Sequence, residues 1–160
     1  AMRELKGEEP PEKKAARPLI DLPIDSFIPD SYIRNGRQKV DIYRRLILAG
    51  SPEEVDELAE EVRDRFGSMP TSVGYLFDLA GIRVKATELQ IREVRHSGSA
   101  LFIQFDADAA PTVKQLEHWS GVLGKRLGFS TVGGLEIRVD TKGLEAKDLV
   151  KMLKKALIGG

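Results

Sequence analysis

Residues 51–70, SPEEVDELAEEVRDRFGSMP, constrain the fold more than any other stretch, because both ends of one helix are written into them. Ser51 offers a hydroxyl cap, Pro52 suits the first helical position, and Glu54 stands three residues after the cap. Gly67 supplies a residue that can turn left-handed and let the last carbonyls find partners. Val55, Leu58, Ala59, Val62 and Phe66 recur at three- and four-residue steps, which puts them on one apolar stripe. The opposite arc carries Glu53, Glu57, Glu60, Glu61 and Asp64, with Arg63 and Arg65 towards its edges. Such a helix can bury one face and present the other as a concentrated anionic surface. Glutamate-rich outer faces also serve solubility alone, and their i to i+4 pairs with arginine are worth only a few tenths of a kcal/mol.

Around this helix the chain changes character several times. Residues 3–17 are charged, carry Gly7, Pro10 and Pro11, and have almost no apolar side chains, so residues 1–18 read as a flexible linker. Ala1 ahead of Met2 reads as a remnant of an expression vector. Residues 19–34 read as an extended arm, broken by Pro23 and Pro29, whose Leu19, Ile20, Leu22, Ile24, Phe27, Ile28 and Ile33 can grip a surface. Residues 35–160 read as one domain. Its first helix is expected over 35–49 with Val40, Tyr43, Leu46 and Ile47 inward, and its second is the acidic helix. A third starts at a Thr71 or Ser72 cap and turns Val73, Leu76, Phe77, Ala80 and Val84 inward. Gly74 and Gly81 weaken that helix by roughly 1 kcal/mol each, which suggests either a close helix contact or tolerated surface positions.

Beyond residue 90 the period shortens. Residues 90–95 and 100–105 alternate as strands about a turn at 96–99, and a helix over 111–127 follows. That helix is expected to be capped at Asp108 or a neighbour and to face inward with Val113, Leu116, Trp119 or Ser120, and Leu123. A short strand over 135–139 leads to a last helix over 146–158. Leu149, Met152, Leu153 and Leu157 form its inner side; Lys147, Lys151, Lys154 and Lys155 form its outer one. The expected architecture is α+β: an extended arm and three helices, then a ββαβα unit with a small, mostly antiparallel sheet.

Composition excludes more than it assigns. With 25 basic and 25 acidic residues the formal net charge is zero, whereas nucleic-acid and membrane-surface proteins usually carry a basic excess. The absence of cysteine removes disulfides, zinc–thiolate sites and thiol nucleophiles. No apolar run approaches the length of a membrane span, and a cytoplasmic location is expected. No phosphate-cradling glycine loop occurs, so no ATP hydrolysis is expected. His96 and His118 lack metal-ligand spacing, and Asp106 and Asp108 read as helix caps rather than paired catalytic carboxylates. No Ser/His/Asp arrangement supports a small hydrolase. The lysine face of the last helix allows a different class of function, nucleic-acid contact. A solvated outer face is the simpler explanation of those lysines, and 100–105 lacks the aromatic-glycine signature of RNA-binding sheets.

Four short blocks carry a family resemblance. Gln38-Lys39-Val40-Asp41-Ile42-Tyr43-Arg44-Arg45-Leu46 is followed by Glu61-x-x-Asp64-Arg65-Phe66-Gly67-x-x-Pro70. Ahead of them stand Ile20-Asp21-Leu22-Pro23 and Ile28-Pro29-Asp30-x-Tyr32-Ile33. In this order and spacing they resemble the C-terminal domain of the bacterial transcription-repair coupling (Mfd) family, over roughly residues 5–89; residues 91–160 contribute no matched motif. Members of that family displace stalled RNA polymerase and recruit the excision-repair protein UvrA through a UvrB-like module. The resemblance implies a non-catalytic, autoinhibitory domain that covers this UvrA-binding surface within the same polypeptide until polymerase is engaged. UvrA and RNA polymerase would then be indirect partners, and direct DNA binding is not expected. ATP and Mg would belong to the motor of the full-length protein, with no cofactor or metal on this domain. Glu61 and Asp64, with Glu57 and Glu60 beside them, would face basic residues of the UvrB-like module. Phe66, Gly67, Pro70 and Tyr43 would be structural, with Phe66 a core anchor whose loss costs roughly 3–5 kcal/mol if fully buried.

Overall fold

The structure, a computed structural model, describes residues 17–131 and 134–158. The expected linker thus lies outside the described residues apart from exposed Arg17 and buried Pro18. In chain order the elements are β1 (Leu19–Asp21), α1 (Gly36–Leu48), α2 (Pro52–Phe66), α3 (Thr71–Glu88), β2 (Ile91–Ser97) and β3 (Ala100–Phe105). These are followed by α4 (Val113–Leu123), β4 (Leu127–Ser130), β5 (Glu136–Asp140) and α5 (Ala146–Leu157). Three helices followed by a sheet-and-helix unit make the expected α+β class.

Local chemistry sets most of the boundaries. Asn35 caps α1 by accepting from the Gln38 N–H, and Ser51 caps α2 by accepting from the Glu54 N–H at 3.2 Å. Gly67 ends α2 at φ 92°, donating its N–H to the Arg63 carbonyl at 2.8 Å. The hydroxyl cap expected for α3 is absent. Pro70 occupies the cap position, and its carbonyl accepts from Val73 and Gly74 at 3.0 Å each.

The helix expected over 111–127 is shorter at both ends. Thr112 and Gln115 form a reciprocal capping box, while Asp108 lies outside the helix at φ 67°. At the far end a 3-10 turn, Gly124–Arg126, releases the chain into strand β4. Val113, expected inward, is 72% exposed, and Ser120 also faces out; Trp119 and Leu123 are the buried residues of α4. On α1 the apolar face is also rotated from expectation. Ile42 and Leu46 are buried, whereas Val40 and Ile47 are 65% and 50% exposed. A helix this short fits two stripes, and only the neighbouring elements choose between them.

The sheet runs in the order β1-β2-β3-β5-β4, with β1 parallel to β2 and every other pair antiparallel. Both edge strands, β1 and β4, are additions to the sequence reading. At three and four residues they are too short to show a period. Their pairing is decided by distant partners: Ile20 beside Val94, and Leu127 beside Val139.

Two apolar clusters hold the fold. One, under the sheet, includes Val94, Leu101, Ile103, Ile137, Leu149 and Leu153. The other, among α1, α2 and the arm, includes Ile33, Ile42, Val55, Leu58 and Val62. Helix α3 belongs to both, giving Val73, Phe77, Ala80 and Val84 to the helical cluster and Ile82 and Ala86 to the sheet cluster. Gly81 lets Ile158 approach, since a Cβ there would stand 3.4 Å from its Cδ1; Gly74 faces open space.

Candidate interaction surface

Helix α2 buries Val55, Leu58, Ala59 and Val62, so the direction opposite them is its outward ridge. At 3.6 residues per turn that ridge passes through Glu53, Glu57, Glu60 and Asp64, spaced i, i+4, i+7 and i+11. All four are exposed, and among the described residues no ion pair or hydrogen bond reaches the side chain of any of them. Three successive like-charge pairs at i+4, i+3 and i+4 spacing therefore stand in a row.

Glu61 has a different situation. It lies about a quarter turn off the ridge towards α1, where Arg45 holds it with two hydrogen bonds. Arg45 Nη1 meets Oε2 at 2.8 Å and Nη2 meets Oε1 at 2.9 Å. Arg65 approaches the same carboxylate at 3.4 Å, and Asp41 lies 3.9 Å from Arg45. The Arg45 hydrogen bond, with the Arg45 and Arg65 charges behind it, holds the Glu61 carboxyl below the usual range despite some desolvation. The same bond raises the Arg45 guanidinium. Glu61 is thus a bracket between α1 and α2, and its half-exposed setting limits the pair to at most about 1 kcal/mol. Sequence periodicity grouped Glu61 with the ridge because it does not see a partner sixteen residues away. The adjacent depression, 360 Å3 in volume, has Arg45, Leu48, Glu54, Glu57 and Glu61 in its walls, so Glu57 links ridge and bracket.

The aromatic and glycine positions of this segment fasten the arm. Tyr32 donates its hydroxyl to the Gly67 carbonyl at 2.6 Å, and burial pushes that hydroxyl's pKa up against the opposing Arg63 charge. Its ring lies 6.1 Å from that of Phe66, over which Arg65 stacks at 4.9 Å. Tyr43 accepts the Ile28 N–H at 2.9 Å, and Lys39 pairs with Asp30. Phe66 is only partly buried at the margin of the helical cluster, so the full core-truncation cost does not apply to it.

The remaining polar candidates serve the fold. His118 Nε2 donates to the Lys155 carbonyl at 2.9 Å, and Trp119 Nε1 donates to the Ala156 carbonyl at 2.7 Å, joining α4 to α5. His96 Nε2 and Thr141 Oγ1 share a hydrogen bond of 3.1 Å. Asp106 continues the sheet, its N–H donating to the Gln90 carbonyl at 2.8 Å. Among the described residues no group of three His, Cys, Asp or Glu could hold a metal ion, and no helix is long and apolar enough to cross a membrane. On α5, Lys147, Lys151 and Lys155 are exposed, while Lys154 is engaged with Asp78 of α3 at 2.8 Å.

The sequence profile of the TRCF domain family matches residues 22–116. The transcription-repair-coupling factor of Bacillus subtilis (strain 168) is 32% identical over 132 residues, which are 81% of this chain and 11% of that protein. That of Myxococcus xanthus is 31% identical over 109 residues, 68% of this chain and 9% of the other. The chain therefore spans about a tenth of the length of these curated relatives. A solved C-terminal domain of transcription-repair coupling factor superposes with a TM-score of 0.79, covering 90% of this chain and 93% of that one. At 22% identity this likeness establishes a common fold.

Proposed function

The chain belongs to the transcription-repair-coupling factor family as its C-terminal TRCF domain, and on that premise we propose that it is a non-catalytic, autoinhibitory interaction domain. It covers the UvrA-binding surface of the UvrB-like module in its own polypeptide and releases that surface when RNA polymerase is engaged. UvrA and polymerase are thus indirect partners, ATP and Mg belong to the motor elsewhere in the full-length protein, and the setting is the cytoplasm.

The observation that carries this reading is the ridge of Glu53, Glu57, Glu60 and Asp64, whose side chains have no partner among the described residues. Four like charges held in line on one helix repel one another, and among the described residues no basic side chain pairs with any of them. A row of basic side chains on a facing module would reverse that sign. Charge pairs at an exposed rim give specificity and fast exchange with modest affinity, which suits a contact that must open. Glu61 then acts through Arg45, keeping α1 and α2 in register, while Asp64 and Glu60 make the contact.

Binding of this chain to the isolated UvrB-like module, measured by titration at low and moderate salt, tests the proposal. Glu60→Lys with Asp64→Lys should abolish a salt-sensitive interaction, and Glu61→Gln should weaken it less. Equal binding by the wild type and the Glu60/Asp64 variant would refute the ridge as the contact. Failure of every form to bind, with retardation of DNA by the wild type, would favour the lysine face of α5.

A further inference from the structure

A second surface lies at the C-terminal end of α1, where Leu48 and Ala49 adjoin the depression beside Glu61. Residues from the C-terminal ends of α1 and α3 line a groove of 440 Å3, with Leu46, Ile47, Leu48, Ala49 and Val84 on it and Arg17 and Arg83 in its walls. Its apolar character continues along the outer face of α1, where Ile47 and Leu48 are 50% and 62% exposed and Val40 stands two turns earlier. Arg44 lies between Val40 and Ile47 on the same face.

The two arginines of the groove are unusual in their company. Among the described residues neither Arg17 nor Arg83 forms an ion pair; Glu88, in the same groove, is paired with Lys85 at 3.2 Å. Arg83 is largely withdrawn from water, which disfavours its charged form, and the nearby Arg17 charge adds to that effect. A guanidinium that is desolvated without a carboxylate is costly, and an incoming carboxylate would complete a forked pair there.

We propose that this groove docks an acidic peptide segment of a partner protein, one that carries aliphatic anchors beside its carboxylates. The aliphatic lining asks for side chains at helical spacing, as in helix-in-groove recognition, and the arginines ask for negative charge next to them. A nucleic-acid strand matches only half of this chemistry, since its phosphates would leave Ile47 and Leu48 without apolar partners. A second copy of this chain offering its α2 ridge has the same shortcoming, for Glu53, Glu57, Glu60 and Asp64 bring no aliphatic group.

The test uses a fluorescein-labelled synthetic peptide of roughly twelve residues, about three helical turns, with leucines at i, i+3, i+4 and i+7 and glutamate elsewhere. A second peptide has lysine in place of every glutamate. Fluorescence anisotropy should show the glutamate peptide binding about ten-fold or more tighter than the lysine peptide. Arg17→Glu and Ile47→Asp, both at exposed positions, should each weaken it by a similar factor, and Glu60→Lys with Asp64→Lys should leave it unchanged. That last arm separates this site from the ridge. No binding, equal binding of the two peptides, or full retention in Arg17→Glu and Ile47→Asp would overturn the proposal. So would displacement of the peptide by an oligonucleotide, or by self-association of the chain through the same residues.

Discussion

Replacing Glu61 by glutamine removes the doubly hydrogen-bonded partner of Arg45 and leaves that guanidinium exposed on α1. The expected loss is about 0.3–1 kcal/mol in urea unfolding at neutral pH, in keeping with a half-exposed pair. The folded-state pKa of Glu61 is lowered, so its contribution is fully present above the ordinary glutamate value and disappears as pH falls through the folded one. Stability of the wild type should therefore decline more steeply than that of Glu61→Gln on the acid limb. Parallel curves would mean the bracket does not stabilise the fold. The neighbouring latch is a separate residue-scale test. Tyr32→Phe removes the donor to the Gly67 carbonyl and should cost about 0.5–1.5 kcal/mol. Gly67→Ala, at φ 92° and ψ −169°, should cost about 1–3 kcal/mol although no atom stands within reach of the added Cβ. In that case the penalty is conformational rather than steric crowding by neighbours.

As an element, α2 carries an internal electrostatic conflict. Glu57 faces Glu53 and Glu60 at helical spacings of four and three, and Glu60 faces Asp64 at four. Glu57→Gln with Glu60→Gln should raise stability by a few tenths of a kcal/mol at low salt, with the gain shrinking as salt screens the ridge. A loss of stability would show that the ridge is satisfied within the domain and would weaken its reading as a contact surface. The apolar face of the same helix behaves oppositely. Leu58→Ala, at a buried position, should cost about 2–5 kcal/mol. The bounds of α2 were readable because Ser51, Pro52 and Gly67 act on their immediate neighbours. Those of α4 are not legible in the same way, because apolar spacing continues past Leu123 to Leu127, while Gly124 turns the backbone out of the helix.

Across the whole molecule, α3 is the shared wall of two clusters, so neither can open without exposing one of its faces. Trp119, the single tryptophan, sits in the sheet cluster, whereas Phe77 belongs to the helical one. Phe77→Ala should lower the unfolding midpoint reported by Trp119 fluorescence by the same amount as that reported by far-UV circular dichroism. Separation of the two midpoints would show that the clusters unfold independently. The shared helix also explains the breadth of its apolar pattern, since a helix buried on two sides cannot display a single stripe.

The sequence by itself determined the helices with strong local punctuation, the β2–β3 hairpin, the α+β class, the acidic arc and the family resemblance. Each rests on interactions among residues a few positions apart, or on motifs whose order survives in the linear chain. Tertiary structure alone decided that Leu19–Asp21 and Leu127–Ser130 are strands, because an edge strand of that length is defined by the partner it meets. It decided that Ile42 rather than Val40 or Ile47 turns inward on α1, since the direction of burial is set by what packs there. It also separated Glu61 from the ridge it shares on a helical wheel, because the Arg45 that claims it comes from another helix. The groove at the ends of α1 and α3 has the same origin: its two arginines are far apart in sequence and meet only in the fold.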